Sequence, residues 1–227
     1  MIPNPYSGKL IHFEGIDASG KSGQLTRFKN YLQAFQKTQF QKTHFTKEPD
    51  IGHPSGVEIY QILHGKHPDP TINTATLHPF EMQSRYFRNR IWHYPVEVIS
   101  YLAKEFNVVS DRGMASMCFG VSSPAEFKPL MGIQEQFFLG AGVPFIWPDL
   151  ILIYDVSAEE ASKRMQEQGK EKDEFEKDLE FQMRVRENYL WFAKQYPNCH
   201  IIDGSGQPEN VFIRTKEILV PILGLSA

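Results

Sequence analysis

The segment from Gly15 to Ser22 reads Gly-Ile-Asp-Ala-Ser-Gly-Lys-Ser and carries the residue types that bind a phosphate chain. It fits the spacing G-x-x-x-x-G-K-[ST], in which glycines let backbone N–H groups turn toward phosphate oxygens. Lys21 supplies a positive charge for the β- and γ-phosphates, and the Ser22 hydroxyl is a ligand for Mg²⁺. The pattern predicts an ATP site formed by Gly15, Ile16, Asp17, Ala18, Ser19, Gly20, Lys21 and Ser22.

A phosphate loop predicts nucleotide binding but leaves the reaction open among GTPases, ATPase motors and small-molecule kinases. The sequence has no N-K-x-D motif for reading guanine, which is evidence against a GTPase. A chain of 227 residues is also small for a motor ATPase. These observations favour a kinase that acts on a small molecule.

Apolar runs alternate with helical patterns along the chain, which predicts a parallel sheet covered by helices. The first strand ends at Phe13, just before the phosphate loop, and a helix from Lys21 has an apolar face of Leu25, Phe28, Leu32 and Phe35. Further strands are predicted at 44–47, 106–110, 150–154 and 200–203. Further helices are predicted at 55–63 with Ser55 as cap, 79–104 with a bend at Pro95, 158–168, a stretch ending at 196, and 208–221.

The composition sets limits on the class of protein. With 41% hydrophobic and 22% charged residues, the chain can form a core, and we expect one domain over 1–227. A net charge of −3 is evidence against bulk nucleic-acid binding. The most apolar stretch, 137–147, is too short and too interrupted by Gly and Pro to span a bilayer, so we expect no membrane partner and a cytoplasmic location. Cys118 and Cys199 lack zinc-site spacing and are expected to be free thiols.

Several further motifs follow the phosphate loop in a fixed order. They are Lys47-Glu48-Pro49, Pro54 to Ile59, Tyr86 to Arg90, Val109 to Arg112 with Ser116, Pro148 to Val156, and Val185 to Leu190. In this order the chain resembles thymidylate kinase, the nucleoside-monophosphate kinase family that phosphorylates dTMP. The resemblance implies a three-layer αβα P-loop NTPase fold with a five-stranded parallel sheet, a short helical lid at about 169–175, and a homodimer.

On the ATP side, the resemblance implies that Lys21 contacts the phosphates and that Ser22 and Asp111 hold Mg²⁺ or its waters. It also places Arg164 against the adenine, although a solvated helix arginine is an equal reading. The implied reaction is direct in-line transfer of the γ-phosphoryl group. No general base is needed, because the acceptor is already an anion.

On the acceptor side, the resemblance implies that Asp17 bonds the 3′-hydroxyl and that Arg112 grips the acceptor phosphate with its two-pronged guanidinium. It implies that Arg90 reads the pyrimidine O4 and that Tyr86 stacks on the base, while Ser116 contributes to the same pocket. Four of these residues also have a plainer reading. Asp17 can be a polar turn residue, and the Asp111–Arg112 pair a local salt bridge. Tyr86 can be a core side chain and Arg90 a solvated one.

The chain departs from the family at several positions. Ala18 and Ser19 occupy the phosphate-loop positions where the family can carry a catalytic arginine, and the segment 169–175 has none, which leaves Lys170 and Lys172 as basic candidates. This charged segment is either a flap or a plain solvated connection. Three further differences lie near the acceptor motifs: Gly113 in place of an aromatic residue, Met117 in place of a polar one, and Lys47 in place of arginine.

These departures keep two alternatives open. One is a kinase of the same fold that acts on another (deoxy)nucleotide or on a nucleoside. A nucleoside acceptor requires a general base, for which Glu14 and Asp111 are the candidates. The other alternative is a nucleotide-binding protein that is catalytically weak.

Overall fold

The apolar runs form a five-stranded parallel sheet in the computed structural model, which describes residues 1–167, 169 and 178–225. The strands are β1 Leu10–Glu14, β2 Thr43–Lys47, β3 Asn107–Asp111, β4 Leu150–Asp155 and β5 Cys199–Asp203. Their spatial order is β2-β3-β1-β4-β5, and every neighbouring pair is parallel. The α/β fold class predicted from the alternating pattern is therefore confirmed.

Helices connect the strands. They are α1 Lys21–Phe35, α2 Lys37–Gln41, α3 Pro54–Leu63, α4 Pro79–His93, α5 Ser100–Leu102, α6 Phe127–Gly140, α7 Ala158–Glu167, α8 Leu179–Gln195 and α9 Pro208–Ile222. A π-helical turn, Tyr94–Ile99, joins α4 to α5. A 3₁₀ segment, Met114–Gly120, follows β3, and a shorter one, Pro124–Glu126, precedes α6.

Successive strand residues point to opposite faces, so each face of the sheet has its own apolar core. Val108 and Ile151 pack into the core on the side of α4, α6 and α8. Val109 and Leu152 pack into the core on the side of α1 and α9. The central strands are buried on both faces, which explains why their sequences are continuously apolar.

Strand β1 lies between β3 and β4, and the carboxyl ends of these strands meet at one edge of the sheet. Phe13 pairs with Asp111 of β3, and Glu14 pairs with Ile153 of β4. The chain leaves β1 directly into the phosphate loop and α1. In an open α/β sheet, this edge is where ligands bind.

Two local predictions are wrong. Phe35 is not part of the buried face of α1; it is the last residue of the helix and is 76% exposed, with its ring beside Tyr31. Ser55 is not the cap of α3, because the helix begins at Pro54 and His53 caps it. The ring Nδ1 of His53 accepts the Ser55 backbone N–H at 3.2 Å.

The long helix predicted over 79–104 is divided. Pro95 has no N–H to donate to the preceding turn, and the backbone there widens into the π-helical turn before α5 ends at Leu102. The sequence analysis missed α6, whose pattern is interrupted by Pro129 and Gly132. Pro221 does not end α9, which includes it and continues to Ile222.

Among the described residues, no helix is long and apolar enough to cross a membrane. Cys118 and Cys199 are both free, as predicted. The predicted lid, apart from Gly169, lies outside the described residues, as do Lys170 and Lys172.

Candidate active site

The phosphate loop forms a backbone cradle between β1 and α1. Gly15 has φ of 139°, and a Cβ at this position would lie 2.6 Å from the Tyr154 carbonyl oxygen, so only glycine fits. Gly20 caps α1 with φ of 94°, and no side chain bonds the first turn of the helix. The positive end of α1 therefore points its N–H groups into the cavity, which suits an anion.

Two cations and one carboxylate meet beside this cradle. The Arg112 guanidinium donates to Asp17 Oδ1 and, at 3.2 Å, to the Gly15 carbonyl. Lys21 Nζ lies 3.8 Å from the same Asp17 oxygen and 3.5 Å from the Ile16 carbonyl. Burial acts to raise the pKa of Asp17, but Arg112 and Lys21 outweigh it and hold that pKa below its usual range. Asp17 is therefore an anion paired with the two cations that the sequence assigned to phosphate groups.

Ser22 and Asp111, the predicted metal ligands, are brought together from α1 and β3. The Ser22 hydroxyl donates to Asp111 Oδ2 at 2.6 Å. Asp111 Oδ1 is buried and has no hydrogen-bond partner among the described residues. Mg²⁺ prefers oxygen ligands and binds through one or two carboxylates together with substrate phosphates. The Ser22 hydroxyl and the Asp111 carboxylate, one oxygen of which has no partner among the described residues, fit that requirement beside the phosphate cradle.

Arg164 lies across the outside of the phosphate loop. Its Nη1 donates to the Ser19 carbonyl at 3.4 Å and its Nη2 to the Gly204 carbonyl at 3.0 Å, while Glu160 accepts from Nε at 2.9 Å. These bonds hold the guanidinium at the rim of the cavity on the phosphate-loop side. The position agrees with the predicted adenine contact, which stays a prediction.

The other end of the cavity is formed by α4, the end of β3 and the 3₁₀ segment. Tyr86 and Phe119 both line this end. The Arg112 guanidinium lies 4.8 Å from the centre of the Phe119 ring. Arg112 itself has φ of 71°, a left-handed conformation that a non-glycine residue rarely adopts. The backbone turn at Arg112 directs the guanidinium between the phosphate loop and Phe119.

Arg90 lines the same cavity but is held tightly by the protein. Its Nε donates to Glu48 at 2.7 Å, Nη1 to Gln134 at 2.7 Å, and Nη2 to the Gly113 carbonyl at 2.8 Å. Burial acts to raise the pKa of Glu48, but the charge and hydrogen bond of Arg90, together with His93 and His12, outweigh burial and lower that pKa. Each Arg90 nitrogen thus has a protein acceptor, and the predicted contact with a pyrimidine O4 stays a prediction.

The sequence analysis named Glu14 only as a possible general base for a nucleoside acceptor. The side chain is fully buried and does not line the cavity. It accepts hydrogen bonds from the Ser116 N–H at 3.1 Å, the Ser116 hydroxyl at 2.8 Å and the Tyr189 hydroxyl at 2.9 Å. Burial raises the pKa of the Glu14 carboxyl. Glu14 therefore fixes the position of Ser116. Tyr189, which lies in the motif from Val185 to Leu190, supports Glu14, a role that the motif did not indicate.

Gly113, which departs from the family pattern, is explained by its neighbour on β1. A Cβ on Gly113 would lie 2.3 Å from His12 Nδ1, so the buried imidazole occupies the space beside this backbone. Met117 is also turned away from the cavity and is 1% exposed in the core. The two departures therefore alter the packing behind the acceptor end rather than its lining.

One continuous cavity of about 790 Å³ contains both ends of this arrangement. The predicted residues that line it are Asp17, Ala18, Ser19, Gly20, Lys21, Ser22, Tyr86, Arg90, Asp111, Arg112, Ser116 and Arg164. Gly15 and Ile16 lie behind the loop and contribute the carbonyls that Arg112 and Lys21 contact.

The comparison with known proteins agrees with this geometry. The model of the family described as thymidylate kinase matches residues 13–214. The chain belongs to the thymidylate kinase family. Thymidylate kinase from Mesoplasma florum is 28% identical over 215 residues, covering 93% of this chain and 94% of that protein. A probable thymidylate kinase from Methanosarcina mazei is 31% identical over 205 residues, covering 89% and 90%.

A solved structure shares the fold. The crystal structure of thymidylate kinase from Ehrlichia chaffeensis superposes with a TM-score of 0.67 at 22% identity, covering 95% of this chain and 99% of that one. Coverage on both sides shows that the chain has the overall extent of its thymidylate kinase relatives. The α/β fold expected from the resemblance, with a five-stranded parallel sheet flanked by helices, is therefore confirmed.

Proposed function

We propose that this chain transfers the γ-phosphoryl group of ATP to dTMP, forming ADP and dTDP. The observation that carries the proposal is the meeting of the phosphate loop with Arg112 and Asp17 in one cavity, in a chain of the thymidylate kinase family. The cradle accounts for the donor, and the Arg112 fork suits a second phosphate facing it.

The transfer rests on positioning and charge. The backbone N–H groups of the phosphate loop and Lys21 hold the phosphates of ATP, while Arg112 holds the acceptor phosphate in line with them. Lys21 and Arg112 neutralise the charge that spreads over the transferring group. Mg²⁺, when bound through Ser22 and Asp111, adds further neutralisation of phosphate charge. The acceptor oxygen attacks as an anion, so the protein abstracts no proton.

Asp17 orients both partners of the reaction. Among the described residues, Arg112 and Lys21 engage its Oδ1. Its Oδ2 is left for the acceptor's 3′-hydroxyl, the role that the family resemblance assigns to it. Tyr86 and Phe119 provide flat apolar surfaces for the base. Lys170 and Lys172 are proposed to complete the charge neutralisation from the lid.

A coupled ADP-release assay with ATP and Mg²⁺ tests the proposal against a panel of dTMP, dUMP, dCMP, dGMP, dAMP and thymidine. We expect the highest kcat/KM with dTMP and no turnover without an acceptor or without Mg²⁺. A preference for another nucleotide would favour the same-fold alternative. Absence of turnover with every acceptor, while ATP still binds, would favour the catalytically weak alternative.

A nucleoside acceptor is the less favoured alternative on the geometry of its two candidate bases. Glu14 is buried behind Ser116 and Tyr189, and Asp111 accepts the Ser22 hydroxyl at the metal side of the cradle. Neither carboxylate is placed at the Tyr86 end of the cavity. Thymidine in the acceptor panel is therefore expected to be inert.

The homodimer and the cytoplasmic location also remain proposals. Apolar side chains are exposed around the start of α3 and the end of α4, where Trp92 stacks on His53 and Val96 lies one turn further along. We expect light scattering after gel filtration to give twice the chain mass. A monomer mass at micromolar concentration would contradict the dimer.

A further inference from the structure

We infer that Gln83 reads the edge of the acceptor base through its side-chain amide, an inference that rests on the proposed function. Gln83 lies on α4 and lines the acceptor end of the cavity. It is 5% exposed. No hydrogen bond to its amide is formed among the described residues, and its N and O atoms are not among the fully buried unpartnered atoms, so they keep access to the cavity. The amide is therefore open to a ligand in that cavity.

Three other polar side chains at this end are already engaged by the protein. Arg90 donates from each of its nitrogens, as described above. Ser116 gives its hydroxyl proton to Glu14, and Arg112 is paired with Asp17. Among the described residues, the Gln83 amide is therefore an uncommitted group at the acceptor end that can both donate and accept.

The placement of Gln83 relative to the aromatic residues suits a base. Gln83 and Tyr86 are three residues apart on α4 and so lie on the same face of the helix. Both line the cavity together with Phe119. A base held against these rings would present its edge to a side chain on the same helix face. The amide carbonyl then accepts the thymine N3–H, and the amide N–H donates to O4.

Gly120 fixes the amide in this place. A Cβ on Gly120 would lie 2.2 Å from Gln83 Cγ and 2.6 Å from Gln83 Nε2, so the side chain packs directly against the glycine backbone. This close approach restricts the rotamers open to Gln83. A group held in one orientation loses little freedom on binding, which favours its use for recognition.

The test combines a protein variant with a modified ligand. Binding of dTMP and of N3-methyl-dTMP is measured by titration calorimetry for the wild-type chain and for Gln83→Leu. We expect Gln83→Leu to weaken dTMP binding about 10- to 100-fold, the cost of an unpaired hydrogen-bonding group. N3-methylation is expected to weaken wild-type binding by a similar factor but to have a much smaller effect on Gln83→Leu.

Three controls keep the outcome unambiguous. Arg88→Ala, on the exposed face of the same helix, is expected to bind dTMP like the wild type. ATP affinity reports whether Gln83→Leu is folded. Gly120→Ala, which displaces the amide without removing it, is expected to reproduce part of the loss.

The inference is overturned if Gln83→Leu binds dTMP as tightly as the wild type, or if N3-methylation is equally costly in both proteins. If the wild-type chain binds dTMP but does not phosphorylate it, the proposed function is overturned. The comparison of dTMP binding by the wild type and by Gln83→Leu still stands in that case. Failure of the wild-type chain to bind dTMP would overturn both.

Discussion

At the phosphate-loop end, the cavity is lined by consecutive residues, Asp17 to Ser22, which include the first turn of α1. At the acceptor end it is lined by side chains from β2, α4, β3 and the 3₁₀ segment. These side chains are positioned by buried partners such as Glu14, Glu48 and Gln134. The first end depends on local backbone geometry, whereas the second depends on contacts between residues far apart in the chain.

The largest effect is expected from Lys21→Met, which removes the one cationic side chain of the phosphate loop, Gly15 to Ser22. We expect kcat to fall about 10²- to 10³-fold, the range for loss of one preorganised electrostatic contact. The ADP-release assay measures it. Lys29→Met, an exposed lysine on the same helix, is the matched control. Equal activities of the two variants would contradict the role of Lys21.

The packing behind the acceptor end has its own pH dependence. Burial lowers the pKa of His12 from 6.5 to about 4, so the folded chain keeps this histidine neutral. The unfolded chain takes up a proton first as pH falls, so stability is lost between pH 6.5 and 4. Relative to His12→Val, we expect the wild type to lose about 3 kcal/mol of unfolding free energy over this window.

Urea unfolding of both proteins at pH 7 and pH 4 measures this difference. His200→Gln, at an exposed position, is the control and is expected to follow the wild type. A difference between wild type and His12→Val that does not change with pH would show that His12 is charged in the folded chain.

The next largest effect is expected at the acceptor end, from Arg112→Lys. This substitution keeps the positive charge and removes the planar guanidinium. The guanidinium contacts both Asp17 and the Gly15 carbonyl, and a lysine cannot hold both while gripping a phosphate. We expect kcat/KM for dTMP to fall about 10- to 100-fold, with a smaller change in KM for ATP. Arg85→Lys, whose partner Glu58 lies outside the cavity, is the control. Equal losses for both substrates would place Arg112 at the phosphate-loop end instead.

The smallest effect is expected from a test of one long-range contact at the acceptor end, between Gly113 and His12. Gly113→Ala introduces a Cβ against the His12 ring and is expected to cost about 1–3 kcal/mol of unfolding free energy. In a His12→Ala background the same substitution should cost much less, because the ring is gone. Urea unfolding of the four proteins measures the coupling. Additive effects would contradict the steric account of Gly113.

Sequence reasoning predicted the phosphate loop and the sheet well because both have local signals. Gly15, Lys21 and Ser22 lie in one motif, and the strands are continuous apolar runs. The supporting residues at the acceptor end could not be found this way. Tyr189 contacts Glu14 across 175 positions, and Gln134 contacts Arg90 across 44. Helix α6, which carries Gln134, was itself missed because Pro129 and Gly132 interrupt its pattern.

The ion pair between Arg112 and Asp17 bears on which acceptors can bind in the cavity. Any incoming group must compete with a carboxylate that already holds the guanidinium and whose pKa is lowered by it. Under the proposed function, the larger charge of a phosphate dianion compensates for this competition while Asp17 stays bonded, whereas an uncharged sugar hydroxyl brings no such compensation. We therefore expect the ion pair to act as a charge filter that disfavours nucleosides as acceptors.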